Sequence, residues 1–389
     1  MPISTSPKQR MLNAYRGVWS ECRPVSPEFW YYYPAKVLGV DMITFQREIP
    51  HWKAMLETFA KYGADGWCVA GAAELNPHVT HTSDFKKIPG GGGQYRESTK
   101  INYGGVRVER SSIFHPEEPS WAEAYPVKTA AEADAYARAS LAQDVGFDFT
   151  EANRAHKEAG EGILVEFNLG VSFFDFFCGA MGFENAIMYF IDEGGDGPTE
   201  GDGPSGGKLE SYFRMYTEHK LRLLREVAAK TDFESVFIGC DSSCNSLLGP
   251  KLWRRWDKPY ESEITAEAHR LGLLVHLHNH GKIMDTVPDL AEIGFDCVCP
   301  FEREPGDVIG LEGLKKARRL LGDKVTFNGN VSTVATLIFG GPGDVRREVR
   351  EIKEAFEGTP RLIIGTGDQV GGETSEENIF AMLEEGRRL

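Results

Sequence analysis

Seven short apolar runs alternate with amphipathic stretches along the chain, and this alternation restricts the fold more than any other feature. The runs occupy residues 65–71, 162–169, 235–241, 273–279, 295–301, 324–330 and 361–368. Strands that alternate with helices form a parallel sheet, either open or closed into a barrel of about eight strands. No Gly-x-Gly-x-x-Gly motif follows the first run. We therefore predict an α/β fold, a (βα)8 TIM barrel, with one strand that the sequence does not reveal.

The first third of the chain departs from this alternation. We predict an N-terminal extension over residues 1–60, followed by the barrel over residues 61–389. Residues 88–114 alternate polar and apolar side chains around two consecutive glycines, which predicts a β-hairpin flap at the barrel mouth. Residues 192–207 contain seven glycines and five acids, which predicts a mobile loop, with a lid as the alternative.

Composition excludes several classes of partner. The 389 residues include 43 basic and 58 acidic side chains, a formal net charge of −15. That charge repels phosphate backbones, so we expect no nucleic-acid partner. No apolar run approaches the roughly 18 residues of a membrane helix, and the start lacks the apolar centre of a signal peptide. We therefore expect a cytoplasmic protein with no membrane partner.

Polar residues at the ends of the predicted strands are the first candidates for a functional role, because function in βα barrels lies at that end of the sheet. Besides three closely spaced histidines, they are Glu166, Asn168, Asp241, Glu302, Asn328, Asn330 and Asp368. We expect Glu166, Asn168 and Asn330 to orient the substrate or line its pocket.

The three histidines, residues 276, 278 and 280, recur with a period of two and therefore share one face of a strand. His278 and His280 can reach one metal ion, and Asp368 at the end of the last strand is the natural third ligand. We expect Asp241 or Glu302 to supply a fourth ligand or to orient an imidazole, and the alternative for either residue is a solvated loop acid. The alternative is a set of hydrogen-bonded interior histidines without a metal.

Two aromatic segments, residues 30–33 and 172–179, offer walls for a flat apolar substrate. The residues chosen from them are Tyr31, Tyr32, Phe173 and Phe177. The alternative is that these rings pack in the core or in a dimer interface. Arg96 is a candidate partner for a substrate carboxylate.

Four segments together resemble the uroporphyrinogen decarboxylase superfamily. They read LLVHLHNHGK (273–282), FNGNVST (327–333), GGPGDVRREVREIKEAF (340–356) and LIIGTGDQVGGETSEENIFAMLEEGR (362–387). That superfamily contains (βα)8 porphyrinogen decarboxylases and methyltransferases that work with corrinoid proteins. The resemblance extends over about residues 210–389.

Two departures from the superfamily patterns narrow what the resemblance implies. The decarboxylases carry an R-Q-A-G-R motif near the N-terminus, where this chain reads PVSPEFWYYYPAKVLGVD. The methyltransferase branch often binds zinc through His-x-Cys and a cysteine on the last strand, which correspond here to His278-Asn279-His280 and Asp368. Two imidazoles and a carboxylate leave a harder metal centre, which prefers oxygen.

The resemblance therefore implies a metal-dependent methyltransferase of the corrinoid-dependent O-demethylase type. It would move a methyl group from a methoxylated, aromatic substrate to a corrinoid (cobalamin) carried by a partner protein. We expect zinc or another divalent metal on His278, His280 and Asp368, and a homodimer. Asp241, Glu302 and Glu166 are the expected catalytic acids. The alternatives are a metal-independent decarboxylase of an aromatic or pyrrole acid, using Arg96 and Asp241, and a noncatalytic corrinoid-binding barrel.

Overall fold

The computed structural model describes residues 5–194 and 207–388. Eight parallel strands, numbered along the chain with all others, form one curled sheet. In spatial order they are β1 (Val25–Ser26), β14 (Leu362–Thr366), β13 (Thr326–Val331), β12 (Cys297–Pro300), β11 (Leu274–Asn279), β10 (Ser235–Cys240), β9 (Leu164–Val171) and β2 (Trp67–Ala70). The two edge strands are the first two in the chain, as in a barrel. The predicted α/β fold of the TIM-barrel class is confirmed.

The seam between β1 and β2 is bridged by a residue that lies just before β2. The Asp65 N–H donates to the Val25 carbonyl at 3.0 Å, and the Asp65 carboxylate accepts the Val25 N–H at 3.0 Å. Asp65 is itself fully buried and paired with Arg10 at 2.6 Å. A buried, ion-paired aspartate therefore links β1 to the residue that precedes β2 through two hydrogen bonds.

Strand β1 corrects the predicted extent of the N-terminal extension. Residues 1–60 contain this two-residue strand, which pairs with β14 and belongs to the barrel sheet. Strand β1 is too short to form an apolar run, so periodicity does not detect it. Each of the other seven strands overlaps one of the seven predicted runs, although β9 and β13 extend past the ends of theirs.

The helices of the described residues surround this sheet. Along the chain they are α1 (Pro7–Arg16), α2 (Tyr32–Leu38), α3 (Met42–Glu48), α4 (His51–Tyr62), α5 (Ala130–Ser140), α6 (Thr150–Ala159), α7 (Phe173–Met181), α8 (Phe183–Gly194), α9 (Lys208–Lys230), α10 (Pro250–Arg270), α11 (Val287–Ile293), α12 (Gly310–Leu321), a π-helix (Thr333–Ile338), α13 (Pro342–Ala355) and α14 (Glu376–Arg387). None of them is both long enough and apolar enough to cross a membrane.

Two hydrophobic cores lie on opposite faces of the sheet. The larger core fills the space between the outer sheet face and the helices. The smaller core lies inside the barrel, where Met11 and Tyr15 of α1 pack against Trp67 and Phe237. The Thr326 hydroxyl donates to the Ala14 carbonyl at 2.7 Å and ties α1 to the barrel. Helix α1 therefore fills part of the barrel interior beneath the histidine strand.

Outside the barrel, two antiparallel sheets complete the described structure. The larger sheet contains β4 (Val79–Lys87), β5 (Tyr95–Tyr103), β6 (Val106–Phe114) and β7 (Trp121–Ala124), and the smaller one pairs β3 (Ala73–Leu75) with β8 (Gly146–Asp148). Strands β5 and β6 form a hairpin around Gly104-Gly105, within the segment where the sequence predicts one. The Tyr32 hydroxyl donates to Glu118 at 2.6 Å and links this sheet to the segment after β1. The predicted mobile loop over 192–207 falls largely on residues 195–206, outside the described residues.

Candidate metal centre

Strand β11 directs two of the three histidines into the barrel. Along this strand Val275 and Leu277 join the outer core, while His276 and His278 face inward. This alternation follows from the two-residue period of a β-strand. Within the sheet ladder, His278 is level with Cys299 of β12. His280 follows the strand, at the end of the barrel where the connections to the helices begin.

The inner part of this strand lies in a closed polar network. His276 Nδ1 is 2.7 Å from Glu166 Oε2, and both side chains are fully buried. The Tyr15 hydroxyl also lies 3.0 Å from His276 Nδ1. The Cys299 Sγ atom is 3.0 Å from both His276 Nε2 and His278 Nδ1. The Cys299 thiol therefore bridges the two inward-facing imidazoles and is the hydrogen-bond partner of His278 Nδ1.

The outer part of the network ends at the barrel mouth. His280 Nδ1 is 2.7 Å from Glu302 Oε1, an oxygen that also accepts the Gly281 N–H at 2.8 Å. His278 Nε2 and His280 Nε2 face each other at 2.7 Å. Because the Nδ1 atom of each ring has a protein partner, both Nε2 lone pairs are directed at the same space. Two facing lone pairs need a cation between them, either a proton or a metal ion.

Asp241 completes a group of metal-ligating side chains with these two histidines. One carboxylate oxygen of Asp241 and one nitrogen of each of His278 and His280 all lie within 4.8 Å of one another. Imidazole nitrogens and carboxylate oxygens are the donor atoms that zinc and similar divalent ions take in proteins. The two imidazoles and the carboxylate therefore fit a divalent ion.

Asp368, the ligand predicted from the sequence, lies outside that group. Its carboxylate accepts the Gln369 N–H at 2.5 Å. Burial raises the pKa of Asp368, the charge of His280 lowers it, and Glu302 and Asp241 raise it further. Asp368 is thus a charged neighbour of the same cluster. Within the described residues, Asp241 rather than Asp368 joins the two histidines.

The pKa values of His278 and His280 are shifted in opposite directions. Burial lowers the pKa of His278 well below its usual value, and the neighbouring His280 and His276 lower it further. Burial also acts to lower the pKa of His280, but the hydrogen bond to Glu302 and the charges of Glu28 and Asp368 raise it to about 9. His278 is therefore a neutral imidazole, the form that binds metal.

Glu28 is a fourth acid of the mouth that the sequence analysis did not single out. It follows β1, and burial raises its pKa to about 8, against the opposing effect of His280. Asp368, Glu302 and Asp241 raise the pKa of Glu28 as well. Glu28 therefore carries a proton at neutral pH.

Three predicted pocket residues have other roles. Glu166 lies deep in the barrel on His276 rather than at the mouth. The Asn168 side chain accepts the Gly170 N–H at 2.9 Å in a local turn. The Asn330 amide donates to the Phe301 and Val308 carbonyls at 2.9 and 3.0 Å. Asn330 therefore anchors the connection after β12, because its N–H groups are already used.

Arg96 and two of the predicted aromatic walls are also placed elsewhere. Arg96 lies in β5, forms an exposed ion pair with Glu123 at 2.6 Å and lines a surface groove of about 510 Å³ on the antiparallel sheet. Phe173 and Phe177 are fully buried and pack against Phe190 on the outer face of the barrel. The SFFDFFCG segment is apolar because α7 belongs to the helical core, so it provides no pocket wall.

The aromatic residues that do lie near the histidines are mostly different ones. Trp67 is 6.1 Å and Phe237 is 5.8 Å from the His278 ring, measured between ring centroids. Trp30 packs on Trp67 at 5.5 Å. Of the predicted residues, Tyr31 lies near the mouth. Burial raises the pKa of its hydroxyl, and the nearby charge of Asp241 raises it further. Burial and the hydrogen bond to Glu118 raise the pKa of the Tyr32 hydroxyl, and the charge of Asp368 adds to this increase.

Comparisons with known proteins agree with this architecture. Residues 210–389 match the family model described as uroporphyrinogen decarboxylase (URO-D). No curated protein matches the chain. A methyltransferase from Methanosarcina mazei has a similar structure, with a TM-score of 0.64 and 15% identity over 98% of each chain.

Other solved structures are similar over only part of the chain. An amidohydrolase covers 60% of this chain, and this chain covers 56% of it, with a TM-score of 0.32 and 14% identity. A type I 3-dehydroquinate dehydratase from Clostridium difficile covers 61%, and this chain covers 76% of it, with a TM-score of 0.30 and 14% identity. The family match thus falls on residues 210–389, the same part of the chain in which the sequence motifs resemble the uroporphyrinogen decarboxylase superfamily.

Proposed function

We propose that this protein is a metal-dependent methyltransferase that moves a methyl group from a methoxylated aromatic compound to a corrinoid carried by a partner protein. The observation that carries the proposal is the convergence of Asp241, His278 and His280 at the barrel mouth. The match of residues 210–389 to the uroporphyrinogen decarboxylase family model and the fold shared with a protein named as a methyltransferase support the same reaction class.

The proposed ligands are held by residues behind them. Glu302 fixes the His280 ring through Nδ1, and Cys299 does the same for His278. Partners of this kind set the tautomer of each histidine and aim its free nitrogen at the ion. A divalent ion bound there would act as a Lewis acid toward the oxygen that carries the methyl group.

The surroundings of the ligands indicate the kind of methyl donor. Trp67 and Phe237 line the barrel interior beside His278, which suits an aromatic ring. Besides the protonated Glu28, three further acids, Asp241, Glu302 and Asp368, lie in the same cluster near His280. Such a concentration of acids repels carboxylates and therefore favours an uncharged or cationic donor.

The methyl transfer also needs a proton for the leaving group. The methyl group passes to the electron pair of the reduced corrinoid, and the departing oxygen keeps both electrons of the broken C–O bond. Glu28, whose pKa is raised to about 8, holds a proton at neutral pH and is the general acid we assign. The decarboxylase alternative lacks this support, because Arg96 pairs with Glu123 on the outer sheet.

The test combines metal analysis with an assay that needs no partner protein. We expect protein purified without chelators to contain about one zinc per chain. It should transfer methyl groups from a panel of methoxybenzenes to free cob(I)alamin, followed by the loss of cob(I)alamin absorption. His278→Ala should lose both properties. His269→Ala, at an exposed histidine of α10, is the matched control and should keep them. A metal-free wild type without transfer on any donor, or full activity of His278→Ala, contradicts the proposal.

A further inference from the structure

The connection that follows β10 carries Asp241, and two buried acids from outside the connection hold its backbone. The Ser242 N–H donates to Asp175 Oδ1 at 2.8 Å, and the Ser243 N–H donates to Asp175 Oδ2 at 3.2 Å. Asp175 belongs to α7 and is 7% exposed. Each oxygen of one carboxylate therefore binds one of the two peptide N–H groups that directly follow Asp241.

Asp257 of α10 holds the same segment from a second direction. Its carboxylate accepts the Ser243 hydroxyl and also accepts the Phe174 N–H at 3.0 Å, at the beginning of α7. Asp257 and Ser243 are fully buried. Asn279, at the end of β11, donates to the Ser243 carbonyl at 3.0 Å. Ser243 is thus bound through its N–H, its hydroxyl and its carbonyl, by three different elements.

Asp241 itself is less firmly held than the two residues that follow it. Asp241 is exposed, so its own burial contributes little to keeping its carboxylate near the histidines. The two residues after it are the fixed part of the connection. A free connection after a strand samples many backbone conformations, and fixing one residue costs about 1–2 kcal/mol. The bonds to Asp175 and Asp257 offset that cost in the folded protein.

We propose that Asp175 and Asp257 are positioning residues, which fix Ser242 and Ser243 and thereby aim the Asp241 carboxylate at His278 and His280. This inference rests on the proposed metal site. It also gives a role to the single acid of the SFFDFFCG segment, whose phenylalanines belong to the core. Neither acid contacts the histidines, so both act through the backbone that carries Asp241.

Glu261 provides a matched control on the same helix as Asp257. It is fully buried, and its contacts in the described structure are with Cys240 and Trp253 rather than with residues 241–249. Burial raises its pKa, as it raises the pKa of Asp257. Glu261→Gln therefore makes the same chemical change, acid to amide, in a similar environment, at a residue that contacts the end of β10 and not the two N–H groups that follow Asp241.

The experiment uses Co²⁺ alone as the probe of the intact protein. We expect Asp175→Asn to weaken Co²⁺ binding by about ten- to a hundredfold and to alter the Co²⁺ absorption spectrum, as for other partners that orient ligands. Hydrogen exchange of a peptide covering residues 241–249 should accelerate at least tenfold, because one N–H loses its acceptor. Asp257→Asn should act in the same direction, and Glu261→Gln should change neither measurement.

Separate outcomes decide the inference and the proposed function. Unchanged Co²⁺ binding and unchanged exchange in Asp175→Asn, or equal effects of Glu261→Gln, overturn the positioning role. If the wild type binds no Co²⁺, the proposed metal function fails. In that case hydrogen exchange of Asp175→Asn alone tests the positioning role. Faster exchange confined to residues 241–249 supports the role, and unchanged exchange refutes it. If Asp175→Asn does not fold, Ser243→Ala, which removes only the hydroxyl bound by Asp257, replaces it with the same expected directions.

Discussion

Two histidine–glutamate pairs flank His278, and they differ in what surrounds them. The inner pair, His276 and Glu166, and the outer pair, His280 and Glu302, both have a nitrogen–oxygen distance of 2.7 Å. The inner side chains are fully buried, whereas the outer ones are 26% and 14% exposed. The inner pair is enclosed by Tyr15 and Cys299. The same two residue types therefore support the barrel interior in one place and offer a free nitrogen at the mouth in the other.

The largest expected difference between the pairs concerns stability. Glu166→Ala leaves the buried His276 imidazole without its hydrogen-bonding partner and leaves a cavity beside it, which together cost about 2–4 kcal/mol of unfolding free energy. Glu302→Ala should cost about 1 kcal/mol, because solvent reaches that pair. Urea denaturation of the metal-free variants measures both values. Equal costs for the two substitutions contradict the assignment of the inner pair to the barrel core.

Removal of the thiol between the pairs should act on metal binding. Cys299→Ala deprives His278 Nδ1 of its partner, and we expect zinc affinity to fall about ten- to a hundredfold. Cys299→Ser keeps a hydrogen-bonding group and should bind zinc more tightly than Cys299→Ala. Competition with a chromophoric chelator gives the affinities. Identical zinc affinities in the wild type and both variants would show that Cys299 does not orient His278.

Two groups at the barrel mouth, His280 of the outer pair and the neighbouring Glu28, should make the stability of the metal-free protein depend on pH. The pKa of Glu28 is raised from 4.5 to about 8 and that of His280 from 6.5 to about 9. Stability from a raised pKa is complete below the unfolded value and is lost as pH rises through the folded value. Glu28 therefore contributes a decrease in the unfolding free energy between about pH 4.5 and 8, and His280 between about pH 6.5 and 9, so the decrease should be steepest between about pH 6.5 and 8. Glu302→Gln should flatten this decrease, whereas a stability that rises over this range contradicts the assignment.

The smallest effect is expected far from both pairs. Arg96→Ala removes an exposed ion pair with Glu123, so the melting temperature should change by less than about 2 °C. Zinc affinity and methyl transfer should equal those of the wild type. A large loss of activity in this variant would restore Arg96 as a substrate ligand and with it the decarboxylase alternative.

The barrel could be predicted from the sequence where each strand carries its own apolar pattern. The period of two in β11 also revealed that His276 and His278 share a face. Strand β1 escaped prediction because its two residues owe their conformation to β14 and to Asp65, which are distant in the sequence. Hydrophobic periodicity reports only on residues that are close together in the sequence, so it does not detect a strand that depends on distant residues.

The ligand set was less predictable than the strands. Sequence position identifies Asp241 and Asp368 as strand-end acids, but the path of each connection decides which one approaches the histidines. For Asp241 that path depends on Asp175, which is 66 residues earlier in the chain. Trp67 and Phe237 were missed as pocket residues because their apolar runs look like ordinary core strands. Only the sheet register, which sets Phe237 beside His276, shows that they face inward.

The central claim is that Asp241, His278 and His280 bind one divalent ion, and a zinc titration of two aspartate variants tests it most directly. We predict that Asp241→Asn weakens zinc binding by more than about a hundredfold, because it removes a ligand. Asp368→Asn, which removes only a neighbouring charge, should weaken it less than about tenfold. The reverse order, or a wild-type protein that takes up no zinc, contradicts the claim.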